Sequence, residues 1–403
     1  MLDAFDFFLV VFVLTRLAAD FHTDVKSVTW AITATLAMRP LGAFIFGRLA
    51  DRYGRKPALM GAVLTYTLME IASAFAPSLK AFILLRALYG IAMGGEWGVG
   101  ASLAFESIPV RARGWVSGLL QSGYASGYLL ASVAFGLLFE HVGWRGLFIV
   151  GALPAALLVL YIATAIPESP VWGAHRAAAA PSSSFLAALR GYWGVALYAV
   201  VLMTFYNLFA HGTQDLYPTF LEKQRGFSVH TRSLIVIIYN VGAICGGVLF
   251  GRLSSQIGRR RAAAIAALLA LPALPFWAFG HSAAVVAAGA FVVQFMVQGA
   301  WGMVPIHLNE LSPASIRATF PGFVYQLGNL LASGNATLQA VIAERAGSAA
   351  HPNYAFALAL VSGIVIVVLT VLVLLGPERR DVRFGVEPEL TAAERRSSPA
   401  PKA

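Results

Sequence analysis

Gly47-Arg48-Leu49-Ala50-Asp51-Arg52-Tyr53-Gly54-Arg55-Lys56 is a short, densely charged stretch between two long apolar runs. Shifted by 204 residues, it falls without a gap on Gly251-Arg252-Leu253-Ser254-Ser255-Gln256-Ile257-Gly258-Arg259-Arg260, with Ser255 standing where the first copy has Asp51. The same shift places Gly95, Trp97, Glu106 and Arg113 on Gly299, Trp301, Glu310 and Arg317. Matching at one fixed offset is the mark of an internal duplication. Each copy holds six apolar runs, so the fold is read as twice six helices.

Composition says what those helices face. Of 403 residues, 58% are hydrophobic and 12% charged, whereas a soluble domain carries about 25% charged residues. The apolar runs cover about 1–20, 28–50, 58–77, 80–104, 114–140, 143–166, 191–221, 231–255, 262–280, 282–309, 318–344 and 352–376. Each approaches the roughly 20 residues that cross a hydrocarbon core. Twelve membrane-spanning helices are therefore expected, in a six-helix bundle over 1–172 and another over 191–376. Residues 173–190, with runs of Ala and Ser, read as a cytoplasmic linker. The polar residues 377–403 read as a disordered cytoplasmic tail.

Lys and Arg in the connections divide nineteen to seven in favour of the side holding the even-numbered loops and the tail. Positive residues resist translocation, so both ends of the chain are expected in the cytoplasm and the chain in the cell membrane. The net charge of +10 is spread among loops, which argues against a nucleic-acid partner. A single cysteine, Cys245, excludes an intrachain disulfide. No phosphate loop, H-E-x-x-H or G-x-S-x-G motif is present, so enzyme chemistry and ATP as an energy source are not expected. The first run carries Asp3 and Asp6 and lacks a small-residue cleavage pattern. In the 204-residue register Asp3 falls on Asn207, within a span, so the first helix is expected to lack about a dozen residues at its start.

The decapeptide at 47–56, its position between the second and third helices and its degraded copy together resemble the signature loop of the major facilitator superfamily. The resemblance implies two parallel six-helix repeats with a solute site at their interface. It also implies a gate on the cytoplasmic side, built from Gly47, Asp51, Arg52, Gly54, Arg55 and Lys56 with Glu106, Arg113, Glu310 and Arg317.

In the seventh helix Asn207, His211 and Asp215 are spaced i, i+4, i+8 and share one face, with Gln214 one step away. Imidazole beside carboxylate suits proton exchange; a patch of interhelical hydrogen bonds is the plainer alternative. The run 207–219 resembles N-x-x-[ST]-H-x-[ST]-Q-D-x-x-x-T of the Jen-type lactate and pyruvate proton symporters, in the sialate:proton symporter branch, with Ala210 departing from the usual hydroxyl. Gln326 and Asn329 in the eleventh helix match a further polar pair of that family. Arg86 opens R-A-L-Y-G-I-A-M-G in the fourth helix and can pair with a carboxylate of the solute or of the protein.

These readings converge on a proton-coupled symporter of small monocarboxylates with no cofactor beyond the proton, the lipid bilayer around it and no obligatory protein partner. Arg86, Asn207, His211, Gln326 and Asn329 are expected to bind the substrate, and His211, Asp215, Asp3 and Glu96 to carry the proton. Trp97, Trp301 and Tyr124 are expected to be packing aromatics. A sialic or aromatic acid is the alternative solute, and a non-transporting acid-sensing receptor the alternative class.

Overall fold

The computed structural model describes residues 1–177, 185–348, 350–380, 382 and 384. Every regular element among them is helical. Twelve rods cross the molecule: α1 Leu2–Asp20, α2 Val25–Tyr53, α3 Arg55–Ala74, α4 Leu79–Ser107, α5 113–142, α6 144–165, α7 Trp193–Lys223, α8 Val229–Ile257, α9 Arg259–Phe279, α10 Ala283–Leu311, α11 320–346 and α12 Tyr354–Leu375. Nothing more than Gly143, at φ +63°, separates α5 from α6; a left-handed backbone there turns the chain back without a loop.

Local chemistry explains the rod ends. Asp24, Ser78, Ser228, Ser282 and Asn353 each accept a backbone N–H in the first turn of α2, α4, α8, α10 and α12. A cap of this kind contributes about 1 kcal/mol. At the opposite, arginine-rich end, Gly54 (φ +119°) and Gly258 (φ +99°) occupy equivalent positions in the two repeats. There Glu168 accepts from the N–H groups of Arg55 and Lys56, and Glu378 from those of Arg259 and Arg260.

Among the described residues, eight stretches are long and apolar enough to cross a bilayer by composition, and the longest, Val110–Ala165, holds both α5 and α6. In α1 the apolar run is interrupted by Asp3, Asp6 and Arg16, and α11 is broken at Ser333-Gly334. Other rods of the second half are broken too. In α7 the helix stops at Gln214 and resumes at Tyr217, α9 passes through a short 3-10 turn, and α10 breaks at Gly302-Met303. A proline lies in the first two positions after each of these three breaks, where its missing N–H costs nothing. Leu137, Leu157, Leu331 and Leu375 are exposed around the outside, as an apolar solvent requires.

The first half packs around Phe82, Trp144 and Phe148; in the second, Tyr217 stacks on Trp277 at 4.9 Å. The halves meet along α5 with α8 and α2 with α11, two pairs exchanged by the repeat. At Gly47 a Cβ would lie 2.5 Å from Thr319 Cα, so only glycine allows α2 this close to α11.

Short helices at 170–177 and 185–190 take in both ends of the linker expected at 173–190; residues 178–184 lie outside the described residues. The tail expectation changes at its beginning. Glu378, Arg380, Val382 and Phe384 pack against the arginine-rich end, because buried backbone donors and guanidinium groups there offer them partners. Residues 381, 383 and 385–403 lie outside the described residues.

Candidate solute cavity and gate

A cavity of about 380 Å³ lies between the halves, bounded by α1, α2, α4 and α5 on one side and α7, α8, α10 and α11 on the other. From α7 it receives Asn207, Ala210, His211, Gln214 and Asp215. The period-four stripe read from the sequence therefore does face a shared space. His211 Nδ1 lies 3.1 Å from Asp215 Oδ1, and His211 Nε2 lies 3.0 Å from Asn329 Oδ1 on α11. Both ring nitrogens thus face oxygen, an arrangement an imidazolium satisfies by donating twice. Asp215 sits at the end of the first part of α7, about 33 Å from its start at the arginine-rich end, and its side chain is 38% exposed.

Other expected residues are placed differently. Asn329 lines the cavity, whereas Gln326 is buried beside it, its amide without a partner among the described residues. Asp3 lines the cavity. Glu96 does not, although its neighbour Trp97 does; its Oε2 is buried with no partner among the described residues.

Arg86, expected at the solute, lies away from the cavity, inside the first half. Its Nη1 pairs with Glu70 Oε2 at 2.7 Å, its Nη2 donates to Ser73 Oγ at 2.7 Å, and its guanidinium lies 4.3 Å from the centre of the Tyr89 ring. The face of α4 that carries Arg86 turns toward α3, which supplies Glu70, and a buried guanidinium is taken by the nearest buried carboxylate.

Arg39 on α2 reaches the cavity instead, as does Met1, whose ammonium pairs with Asp3 at 3.0 Å. Arg39 is 7% exposed, lies 5.8 Å over the Tyr325 ring, and its Nε has no partner among the described residues. Its signal in the sequence is the pair Arg39-Pro40 inside an apolar run. Pro40 has no N–H for the Leu36 carbonyl one turn earlier, and Leu36 also lines the cavity. Trp97, Trp301 and Tyr124, read as packing aromatics, do pack, Trp301 within the core, Trp97 against it and Tyr124 on Phe8, and they also line the space together with Tyr325. Tyr325 stands between the two tryptophans, with ring centres 4.7 and 5.8 Å away. Trp97 and Trp301 are repeat equivalents, so the duplication itself brings them to the shared interface.

Below the cavity the arginine-rich end is closed. Asp51 accepts from Ala318 N at 3.0 Å, Thr319 N at 3.2 Å and Thr319 Oγ1 at 2.5 Å, tying α2 to the start of α11 across the halves. Arg55 pairs with Asp51 at 3.5 Å and donates twice to Glu106 at 3.0 Å; Ser169 Oγ also donates to Glu106. The second half repeats the motif: Arg259 donates twice to Glu310 at 3.0 and 3.1 Å, and binds Ser254 and Ser255 where the first half has the acid. Arg113 and Arg317, one from each half, flank the Phe384 ring at 3.7 and 4.4 Å. Burial holds the Arg317 guanidinium down at about 10. Arg52 is exposed over the Tyr53 ring, and Lys56 Nζ donates to the Ala163 carbonyl, so both stand outside the contacts that join the halves.

The family profile described as the Major Facilitator Superfamily matches residues 1–334 and 215–401. The chain belongs to the Major Facilitator Superfamily. Among similar proteins, a carboxylic acid transporter protein homolog of Saccharomyces cerevisiae is 32% identical over 408 residues, covering 93% of this chain and 66% of the yeast protein. The chain thus spans just under two thirds of that relative. Sialic acid transporter NanX of Escherichia coli is 29% identical over 81% of this chain and 80% of its own length. Among solved structures, the proton:xylose symporter XylE superposes with a TM-score of 0.76 at 18% identity, over 94% of this chain and 93% of that one. This superfamily and these relatives are transporters, not enzymes.

Within this superfamily fold, two residue pairs give separable predictions. Replacing Arg86 by Met strands Glu70 in the first half and is expected to cost about 3–5 kcal/mol. Thermal unfolding of the purified protein measures the loss, and adding Glu70→Leu should restore most of it; a single variant as stable as the parent contradicts the pairing. At the gate, Asp51→Asn weakens charged hydrogen bonds worth about 1.5–3 kcal/mol each. It should raise maleimide labelling of a Ser102→Cys probe in a Cys245→Ser background at least tenfold. Ser102 is buried between Asn309 and the Arg317 carbonyl in the closed gate, so unchanged labelling would exclude Asp51 as a tie.

Proposed function

We propose that this protein carries small monocarboxylates of the lactate and pyruvate type across a cell membrane together with a proton. One observation supports the reading above the others: the cationic Arg39 and the His211–Asp215 pair share a cavity between the two repeats. A guanidinium offers a two-pronged donor to a carboxylate. The relatives' names, a carboxylic acid transporter and a sialic acid transporter, have a carboxylate in common.

The hydrogen bonds of His211 suggest how proton and anion are linked. With His211 protonated, Asn329 gives its oxygen to Nε2 and keeps its amide hydrogens for the solute. With His211 neutral and its proton on Nδ1 toward Asp215, Nε2 becomes an acceptor. Asn329 must then turn its NH2 to the ring and present an oxygen to the cavity, where it repels a carboxylate. Proton and anion therefore favour each other's binding. Carrying both is electroneutral and avoids about 2.3 kcal/mol per 100 mV opposing an uncompensated anion.

In this reading the arginine-rich end, where α12 finishes, faces the cytoplasm, and the cavity loads from the opposite side; of the two chain ends expected in the cytoplasm, Met1 instead lies in the cavity wall, because α1 starts part-way along the bundle. Rocking of the halves parts Asp51 from Thr319 and releases the solute. The aromatic lining favours a second reading, in which a ring-bearing acid stacks between Trp97, Tyr325 and Trp301. Proteoliposomes test both: lactate addition should alkalinise the medium and drive counterflow of labelled lactate, whereas benzoate or sialate outcompeting lactate at equal concentration selects the bulkier solute. Binding without counterflow indicates a receptor, and lactate uptake without proton movement overturns the coupling.

A further inference from the structure

Three amide side chains of the second half are held in the cavity wall with a fixed sense. On α7, Asn207 Nδ2 donates to the Met203 carbonyl at 2.7 Å, and on α8 Asn240 Nδ2 donates to the Val236 carbonyl at 2.8 Å. A carbonyl only accepts, so each nitrogen is tied to its own helix and the oxygen of the same amide is turned the other way. Both residues line the cavity, and neither oxygen is taken by a donor among the described residues.

Gln214 is fixed by a longer chain. Thr213 Oγ1 donates its hydrogen to the Phe209 and Ala210 carbonyls, 3.0 Å from each, and therefore accepts from Gln294 Nε2 at 3.0 Å. The same nitrogen faces the Thr213 carbonyl at 3.4 Å. With its nitrogen turned to Thr213, the buried Gln294 of α10 offers its oxygen to Gln214, whose Nε2 donates to it at 2.8 Å. What Gln214 has left for the cavity it lines is its own oxygen. Gln294 is absent from the cavity wall and acts through Gln214.

The wall is thus divided by function. Arg39, and Asn329 when His211 is protonated, present donors suited to a carboxylate. Asn207, Gln214 and Asn240 present oxygens to the remainder of the solute. Gln121 and Gln298 also line the space, but no hydrogen bond to a described residue fixes them, so they can turn either end to a solute and do not discriminate. A hydroxyl beside the carboxylate can donate to a fixed oxygen, whereas a keto oxygen in the same place only accepts and is repelled.

We propose that this cavity selects hydroxy acids over the matching keto acids, with Gln214 and Asn240 as specificity-determining residues and Gln294 as the positioning residue that sets the sense of Gln214. The inference rests on the carboxylate reading given above. A site built to hydrogen-bond a hydroxyl rejects an analogue without that donor, because its own polar groups are left unpaired. One neutral hydrogen bond is worth about two- to tenfold in affinity.

The test is calorimetric titration of the full-length protein, in neutral detergent at acidic pH, with lactate, propionate and pyruvate. Lactate is expected to bind at least tenfold tighter than pyruvate, with propionate, which has neither oxygen, between them. Gln294→Met frees Gln214 to turn its NH2 to the solute, so pyruvate should tighten about two- to tenfold while lactate stays within about twofold. Asn240→Leu should weaken lactate by about two- to tenfold and leave pyruvate unchanged. A Gln294 that only supports the packing of α7 on α10 would move both acids alike. Should Gln294→Met fail to fold, Asn240→Leu and the parent series carry the comparison. Pyruvate binding as tightly as lactate, or variants that shift both acids equally, overturns this inference and leaves the carboxylate reading standing. Failure of all three acids to bind overturns that reading and this inference with it.

Discussion

An Arg39→Gln variant is expected to lose saturable monocarboxylate uptake, with kcat/KM down roughly thirty- to several-thousand-fold. The range follows from the 2–5 kcal/mol lost when one partner of a buried, hydrogen-bonded charge pair is removed. The carboxylate would otherwise be stripped of water beside Tyr325 and the tryptophans with no charge to receive it. Arg39 is 7% exposed and makes no ion pair with a described residue, and Asp3, which shares the cavity and its field, keeps the Met1 ammonium at 3.0 Å, so thermal stability should stay near that of the parent. Arg39→Lys keeps the charge but lacks the planar fork, so partial uptake, about tenfold down, is expected. Arg86→Met gives the opposite pattern, a stability loss that Glu70→Leu repairs. Labelled lactate uptake into proteoliposomes, read beside thermal unfolding, separates the two. Wild-type uptake by Arg39→Gln would remove the proposed anion clamp.

That contrast also shows what could be read in advance. Twelve helices, the duplication and the family were legible because burial in lipid imposes apolar runs, and a duplicated gate loop repeats its charges at a fixed offset. The α7 stripe was legible because helical periodicity alone aligns Asn207, His211 and Asp215. Arg39 and Arg86 could not be told apart in this way. Both are lone arginines in apolar runs, and which one meets solute depends on the rotation of α2 and α4, which the positions of Glu70 and Tyr325 reveal only in three dimensions. That the packing aromatics Trp97 and Trp301 also line the cavity was hidden for a related reason: a tryptophan on a helix face looks alike whether that face meets another helix or a cavity. Glu70 drew no notice, because its partner lies in another helix. The start of the tail was read from polarity, and polarity does not disclose that Glu378 has α9 to cap.

The other large effect belongs to α7. His211→Ala and Asp215→Asn should each abolish accumulation driven by a pH gradient while leaving counterflow measurable. The reason is the geometry of the imidazole: the Asp215 carboxylate holds Nδ1, and Nε2 meets Asn329, whose amide turns according to whether that nitrogen donates or accepts. Without the imidazole, Asn329 no longer senses a proton, yet the rest of the cavity, Arg39 included, still receives the anion. In Asp215→Asn the negative charge that favours the imidazolium is gone, so loading should depend less on pH and occur at lower affinity. Asn329→Leu separates sensing from binding. It deletes both the contact with Nε2 and a hydrogen bond to the charged solute worth about 1.5–3 kcal/mol, so KM should rise roughly ten- to hundredfold and coupling should fail together with it. Initial rates of lactate uptake and of proton uptake, measured side by side from pH 5 to 8, decide the matter. If His211→Ala and Asp215→Asn both accumulate lactate and alkalinise the medium as the parent does, the proton is carried elsewhere and the His211–Asp215–Asn329 chain is a structural tie between α7 and α11.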